Sequence, residues 1–252
     1  MGVLVVSGTG TGVGKTVVTA ALAAVTRARG ESVAVVKPAQ TGEPPGSPGD
    51  PGDRSDLSVV RRLAGVTDLH ELARFPDPLS PEAAARVSCQ PPLDLRRAAA
   101  YAARLATSRQ QVIVEGAGGL LVRYDRAGTT IADLAAMLDA PVLTVTAPGL
   151  GTLNHTALTL EALATRALTC AGVVIGCWPS EPGLAERCNL TDLETTAGQP
   201  LAGALPEGAA RLGPAEFLRL ARHGLSPAFG GTFDAAGFRA TQDAAPAAGP
   251  HR

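Results

Sequence analysis

Of the 22 basic residues in this 252-residue chain, only Lys15 and Lys37 are lysine. A chain that otherwise uses arginine keeps a lysine where a compact ammonium is needed and a planar guanidinium fork will not fit. Lys15 ends the run Gly8-Thr9-Gly10-Thr11-Gly12-Val13-Gly14-Lys15, followed by Thr16. Between a strand and a helix, such a turn aims backbone N–H groups at phosphate oxygens, and the helix N-terminus adds its positive dipole end. The ammonium of Lys15 then neutralises the β and γ phosphates, and the Thr16 hydroxyl ligates Mg²⁺. The strict motif, G-x-x-x-x-G-K-[ST], asks for glycine where this chain has Thr9, so the match is a variant in the required strand-to-helix context. Lys37 ends the second strand pattern, in Val36-Lys37-Pro38-Ala39-Gln40-Thr41-Gly42. Pro38 stops that strand and leaves Lys37 pointing into the cleft beside the phosphate loop; the plainer alternative is an exposed strand-end lysine.

Two carboxylates complete the candidate chemistry. Glu115 ends the apolar run Val112-Ile113-Val114 and begins Glu115-Gly116-Ala117-Gly118-Gly119. A carboxylate at the end of a buried strand is where phosphoryl-transfer sites built on such a loop approach Mg²⁺. The glycines beside it let the backbone come close to a ligand. Asp56, in Arg54-Ser55-Asp56-Leu57, is either a helix-start residue or a second metal ligand. The segment Pro148-Gly149-Leu150-Gly151-Thr152-Leu153-Asn154-His155 opens another helix, whose first N–H groups either hold an anion or are simply capped.

Positioning these groups requires an alternating fold. Strand-length apolar runs lie at Val3–Val6, Val33–Val36, Val112–Val114, Val142–Val145, Val173–Ile175 and Leu201–Leu205. Most are continuous, as in parallel strands covered on both faces. Helical patterns fall between and after them, at Thr16–Arg29, Asp56–Ala64, Leu93–Ser108, Ile131–Leu138, Thr152–Ala167, Leu184–Thr196 and Ala215–Ala221. The alternation predicts a single α/β domain, a mostly parallel doubly wound sheet with helices on both faces, over residues 1–225. Ligands bind such sheets outside the carboxyl ends of the strands, where all the segments above lie. The Gly/Pro-dense stretch Gly42–Gly52 is expected to be a mobile loop. Residues 226–252, rich in Ala, Gly and Pro, read as a partly disordered tail whose Phe229, Phe233 and Phe238 can still dock on the domain.

Composition excludes several classes. A net charge of −1, with 22 basic and 23 acidic residues, gives no basic surface for nucleic acid or anionic lipid. No apolar run reaches the roughly 18 residues of a membrane span. No basic segment precedes an apolar one at the start, so a soluble cytoplasmic protein is expected. Cys89, Cys170, Cys177 and Cys188 form no C-x-x-C pair, and His70, His155, His223 and His251 are dispersed; reduced apolar thiols and no metal cluster are the expectation. A guanine-reading N-K-x-D motif needs a lysine that the chain does not have to spare. Gly10 stands where partitioning-type ATPases carry a signature lysine, and no compact Arg-rich lid of a small-molecule kinase is evident.

GTGTGVGKT, VVKPAQTG, VEGAGGLLV and PGLGTLNHTALTLEAL occur in the order and spacing of the dethiobiotin synthetase family, which the chain resembles from about residue 1 to about 222. The resemblance implies a phosphate-loop fold working as a homodimer. It implies a cyclo-ligase of biotin biosynthesis that joins CO₂ (or bicarbonate) to 7,8-diaminononanoate and closes a ureido ring while a nucleoside triphosphate is hydrolysed. Carried over residue by residue, Lys15 and the amides of Gly12, Val13, Gly14, Thr16 and Val17 hold the phosphates, and Thr16, Asp56 and Glu115 ligate Mg²⁺. Lys37 lies beside the carbamate, Thr11 and Thr41 contact substrate, and the turn Glu115-Gly116-Ala117-Gly118 borders both ligands. Leu150, Gly151, Thr152, Leu153 and Asn154 receive the substrate's carboxylate tail across the dimer interface. Leu205, Pro206 and Glu207 make further nucleotide contacts.

One departure stands out. Where many members of the family read adenine with an Asn-Asp pair, this chain has Gly176-Cys177, and its only asparagines are Asn154 and Asn189. A glycine offers the base only backbone groups, which predicts weakened adenine selectivity and use of other triphosphates such as CTP alongside ATP. Trp178 adjoins that position, either covering the base or packing. The competing readings are a dimerising ATPase switch and a small-molecule kinase.

Overall fold

A computed structural model describes residues 2–43 and 53–244. Of the Gly/Pro stretch Gly42–Gly52 expected to be mobile, residues 44–52 lie outside the described residues, as does the end of the tail (245–252) with His251, while the Gly42 N–H donates to the Phe75 and Asp77 carbonyls. Strands are β1 (Gly2–Gly8), β2 (Val33–Lys37), β3 (Gln40–Thr41), β4 (Leu69–Glu71), β5 (Arg74–Phe75), β6 (Gln111–Gly119), β7 (Val142–Thr146), β8 (Cys170–Trp178) and β9 (Gly203–Pro206). Helices are α1 (Lys15–Ala28), α2 (Asp56–Ala64), α3 (Pro81–Val87), α4 (Leu95–Ala106), α5 (Ile131–Met137), α6 (Thr152–Thr165), α7 (Leu184–Ala197), α8 (Pro214–Gly224) and α9 (Ala235–Ala244).

Seven strands form one sheet in the order β4-β2-β6-β1-β7-β8-β9, with every pairing parallel. Strand pleating divides the core. Leu4, Val6, Val33, Val35, Ile113, Leu143 and Val145 face α1, α2 and α8. Val5, Ala34, Val36, Val112, Val114 and Val142 face α3, α4, α5 and the end of α6. Burial on both faces is why these strands read as unbroken apolar runs. The neighbouring strands β1 and β7 send their following helices, α1 and α6, to opposite faces, which opens a crevice at their carboxyl ends.

Short elements escaped the sequence reading. β3, β4 and β5 have two or three residues, too few for periodicity to register. α3 starts at Pro81, pre-set for a first helical position. β6 runs through Gly119 rather than stopping at Val114, because pairing with β1 continues to Gly8 opposite Gly119. β8 likewise extends to Trp178.

The segment after Ser226 carries α9. Phe233 is buried and Phe238 meets Trp178 edge-on at 5.3 Å between ring centroids, while Phe229 packs against the α1 side of the core. Trp178 is therefore a packing residue, 6% exposed. The four cysteines are free, but none is buried, and only Cys170 packs against a main core cluster. Among the described residues no helix is long and apolar enough to cross a membrane.

Candidate active site

The phosphate loop leaves β1 and enters α1 with Gly12 and Gly14 in left-handed backbone at φ +77° and +93°, which glycine adopts without strain. The ammonium of Lys15 donates to the Gly10 carbonyl at 2.7 Å. Burial, reinforced by repulsion from Lys37, brings its pKa down to about 8. The loop leans on β8 through bare backbone: a Cβ on Gly14 would lie 2.3 Å from the Gly176 carbonyl oxygen, and one on Gly176 would lie 2.2 Å from that of Val13. Any side chain at either position would displace the loop.

Lys37 is buried at the end of β2 between two carboxylates. It pairs with Asp56 Oδ2, donates to Glu115 Oε1 at 2.9 Å and reaches the Gly116 carbonyl at 3.3 Å. Burial alone would push its pKa down, but Glu115 and Asp56 outweigh that and hold the ammonium well above the ordinary lysine range. The two carboxylates part company. Burial, helped by the charge of Asp56, pushes Glu115 up, whereas Asp56 is held low by Lys37 and Thr16 against its own burial.

Thr16 Oγ1 lies 2.8 Å from Asp56 Oδ1 and 2.9 Å from Glu115 Oε1. A hydroxyl has one proton, so it satisfies one of these oxygens at a time. Glu115 Oε2 is buried and makes no well-formed hydrogen bond, although the Thr19 hydroxyl bears on the same carboxylate. Two crowded carboxylates, a hydroxyl and an under-satisfied oxygen are a hard donor set suited to Mg²⁺, which takes one or two carboxylates and completes its shell with phosphate and water. No group of three or more His, Cys, Asp or Glu side chains able to hold a metal ion occurs among the described residues.

Neighbours fix these groups in place. Ser55 caps α2 by accepting from the Ser58 N–H, and the Gln40 side-chain oxygen accepts from the Asp56 N–H at 3.0 Å. Asp56 thus opens a helix and also faces Thr16. The buried Tyr124 hydroxyl accepts from the Ala117 N–H at 2.7 Å and pins the turn after Glu115. Gln40 stands within the VVKPAQTG run but was assigned no role there, and Tyr124 lies outside every motif.

One cavity of about 720 Å³ gathers Thr11, Gly12, Gly14, Lys15, Thr16, Val17, Lys37, Thr41, Asp56, Glu115, Ala117 and Gly118. Ala39, Gln40, Pro78–Pro81 and Val122 also line it and were missed. Val13 lies buried beneath the loop, and Gly116 packs on Ile131. The cavity does not include Leu150, Gly151, Thr152, Leu153 or Asn154. Leu150 is 95% exposed, and the turn before α6 is held by Asn189, whose Nδ2 donates to the Pro148 and Gly149 carbonyls at 2.8 and 3.1 Å. On the β8–β9 side, Leu205 is buried and Cys177 half-buried, its thiol pushed up by burial and then by Glu207. Pro206 and Glu207 line a second cavity of about 840 Å³ with Ser180, Arg211, Arg219 and His223.

Residues 2–211 match a family model described as an AAA domain. The chain is 62% identical over 240 residues to the ATP-dependent dethiobiotin synthetase BioD of Frankia casuarinae, covering 95% of this chain and 98% of that one. It is 54% identical over 238 residues to the protein of the same name from Streptomyces coelicolor, covering 94% and 98%. Among solved structures, a ParA family ATPase from Chlorobium tepidum aligns with a TM-score of 0.55 at 16% identity, covering 87% of this chain and 96% of that one. The septum site-determining protein MinD from Pyrococcus horikoshii aligns at 0.53 and 19%, covering 86% and 85%. These two likenesses concern the fold alone. With its sequence matching over nearly its whole length, the chain belongs to the dethiobiotin synthetase family.

Proposed function

We propose that this chain is a cyclo-ligase of biotin biosynthesis, joining CO₂ to 7,8-diaminononanoate and closing the ureido ring of dethiobiotin as a nucleoside triphosphate is split to diphosphate and phosphate. The observation that carries the reading is the buried Lys37, facing Asp56 and Glu115 on the floor of the cavity whose wall is the phosphate loop. An amine of the substrate adds to CO₂ to give a carbamate. A carbamate oxygen then attacks the γ-phosphorus, the diphosphate leaves, and the second amine attacks the carbamoyl carbon and expels phosphate. Two anions must meet in the middle step. Lys15 and Lys37 offset that repulsion and stabilise charge on the transferring phosphoryl group. Lys37 is held firmly charged, so it is an electrostatic group and not a proton acceptor. The adjacent amines make ring closure intramolecular. No histidine or cysteine is among the residues lining the cavity, and none of the steps needs a protein nucleophile.

Thr16, Asp56 and Glu115 are the groups that would hold Mg²⁺, which supplies further neutralisation of phosphate charge when bound. Thr11, Thr41 and Gly118, on the cavity wall, contact the substrate. Leu150–Asn154 receive the substrate tail from a second copy of the chain in a homodimer. Exposed Leu150, in the turn before α6, and exposed Leu158, on α6, support such an interface, and the separation of this segment from the chain's own cavity agrees with a cross-subunit role. A monomer in light scattering at working concentration would remove that part. The working domain is residues 1–225, with the segment after Ser226 an appendage, and the site of action is the cytoplasm. Gly176 and Cys177, with Leu205, Pro206 and Glu207, border the base, and backbone-only contact at Gly176 supports use of CTP as well as ATP.

Phosphate release with Mg²⁺, bicarbonate and each of the four triphosphates, with and without 7,8-diaminononanoate, tests the proposal. Diamine-dependent release is expected with more than one triphosphate. A strict need for ATP would overturn the relaxed base reading. Release indifferent to the diamine would favour the ATPase switch, and a stable phosphorylated product the kinase.

A further inference from the structure

Four threonine hydroxyls meet between β1 and β7. Thr146, fully buried at the end of β7, has its Oγ1 2.7 Å from that of Thr152, 2.8 Å from Thr156 and 3.3 Å from Thr9. Thr152 and Thr156 are buried in the first turns of α6, while Thr9 belongs to the phosphate loop. Counting protons fixes the directions, because a hydroxyl donates once and accepts twice. Thr152 gives its proton to the Ala147 carbonyl at 2.5 Å, so it accepts from Thr146. Thr146 has then used its only proton, and both Thr156 and Thr9 must donate to it. The chain runs from Thr9 and Thr156 through Thr146 and Thr152 to the Ala147 carbonyl, with every valence of Thr146 engaged. Alongside it, the Thr9 N–H donates to the Val145 carbonyl at 2.9 Å. The turn that follows Ala147 is clamped from its other side by Asn189. A movement of Thr9 as phosphates settle in the loop therefore alters the hydrogen bonding that holds the entry to α6.

We propose that Thr146 is a positioning residue that couples the nucleotide site to the substrate-tail segment, so that each ligand tightens binding of the other. The inference rests on the reading of Leu150–Asn154 given above. Thr146 acts through Thr9 and Thr152. Such coupling must be reciprocal, the nucleotide gaining from the diamine the same factor that it confers.

Titration calorimetry of 7,8-diaminononanoate, with and without a non-hydrolysable triphosphate analogue, tests this. The parent protein should bind the diamine about fivefold or more tightly with the analogue present, within the ordinary range of intersite coupling. Thr146→Ser, which keeps the hydroxyl, should retain that ratio, and Thr146→Val should bring it close to one. Thr9→Val cuts the same link from the half-buried loop side and should act alike, which serves if the core variant fails to fold. A parent ratio of one, or a valine variant that keeps the parent's ratio, overturns the coupling. A parent protein that binds nucleotide but no diamine under either condition overturns instead the functional reading beneath it.

Discussion

At the scale of single residues, the site is a problem in charge placement. Lys37 is the counter-ion of two carboxylates in one buried spot, so replacing it does two things at once. Lys37→Ala should lower turnover by about 10²–10³, the usual effect of removing one preorganised electrostatic group. Nucleotide binding should persist, because Lys15 and the loop amides remain. The same change leaves Glu115 and Asp56 facing each other without an ammonium, at a cost of about 3–5 kcal/mol. That loss has a definite pH sign. The folded-state pKa of Glu115 is raised by burial, so the carboxyl is destabilising when charged and harmless when protonated. The deficit in melting temperature should therefore shrink as pH falls from neutral toward acid, and a deficit that grew instead would contradict the assignment. Lys15 gives a second pH signature. With its pKa near 8, the ammonium meets the phosphates already charged below that pH. Above it, each binding event must also take up a proton. Nucleotide affinity measured in EDTA should thus weaken as pH rises through about 8, with proton uptake visible by calorimetry in two buffers of different ionisation enthalpy.

At the scale of elements, the phosphate loop is placed by the strand beside it as much as by its own glycines. Gly14 and Gly176 touch backbone to backbone, and Gly176 also lies where a Cβ would meet Val145 Cγ1 at 2.7 Å. Gly176→Ala should cost about 1–3 kcal/mol from overpacking against atoms that cannot turn away. It should weaken nucleotide binding as well, because Val13 and Gly14 must move. Equal affinity in the variant, measured by calorimetry, would mean that the loop has slack at this contact. The steric argument also gives Gly176 a reason to be glycine that is independent of base choice. Tyr124 and Gln40 work in the same way, holding the turn after Glu115 and the start of α2 from behind.

At the scale of the whole molecule, the last described helix closes one end of the sheet. Trp178 is the only tryptophan in the chain, and it is covered by Phe238, with Phe233 against the same cluster. Arg239 adds an ion pair to Glu194 of α7. A chain ending at Ser226 should show a red-shifted Trp178 emission and a lower melting temperature. Diamine-dependent phosphate release should remain, since none of the residues lining the main cavity lies beyond Val122. Loss of that activity with the fold intact would bring the appendage into the working domain.

The candidate site was legible in the sequence where one short segment carries both the side chain and the backbone that positions it. Lys15 and Thr16 sit within the turn that positions them, and Glu115 and Lys37 each end an apolar run, so residue type and strand end already locate them. The bounds of α2, Asp56–Ala64, coincide with those of the sequence pattern, and the structure shows local marks at both ends, Ser55 at the cap and left-handed Gly65 after the last turn. What tertiary structure alone decided are relations between segments distant in sequence: Lys37 shared by Asp56 and Glu115, Tyr124 behind Ala117, Gly176 against Gly14, and the threonine chain from Thr9 to Thr152. None has a local signal, since a buried hydroxyl or a bare Cα acquires its meaning from the atom that the fold brings opposite it. The aromatic residues of the tail show the same limit. Phe233 and Phe238 sit in an Ala/Gly-rich stretch without periodicity, and their order comes from the exposed edge of the cluster around Trp178, which needed covering by something apolar.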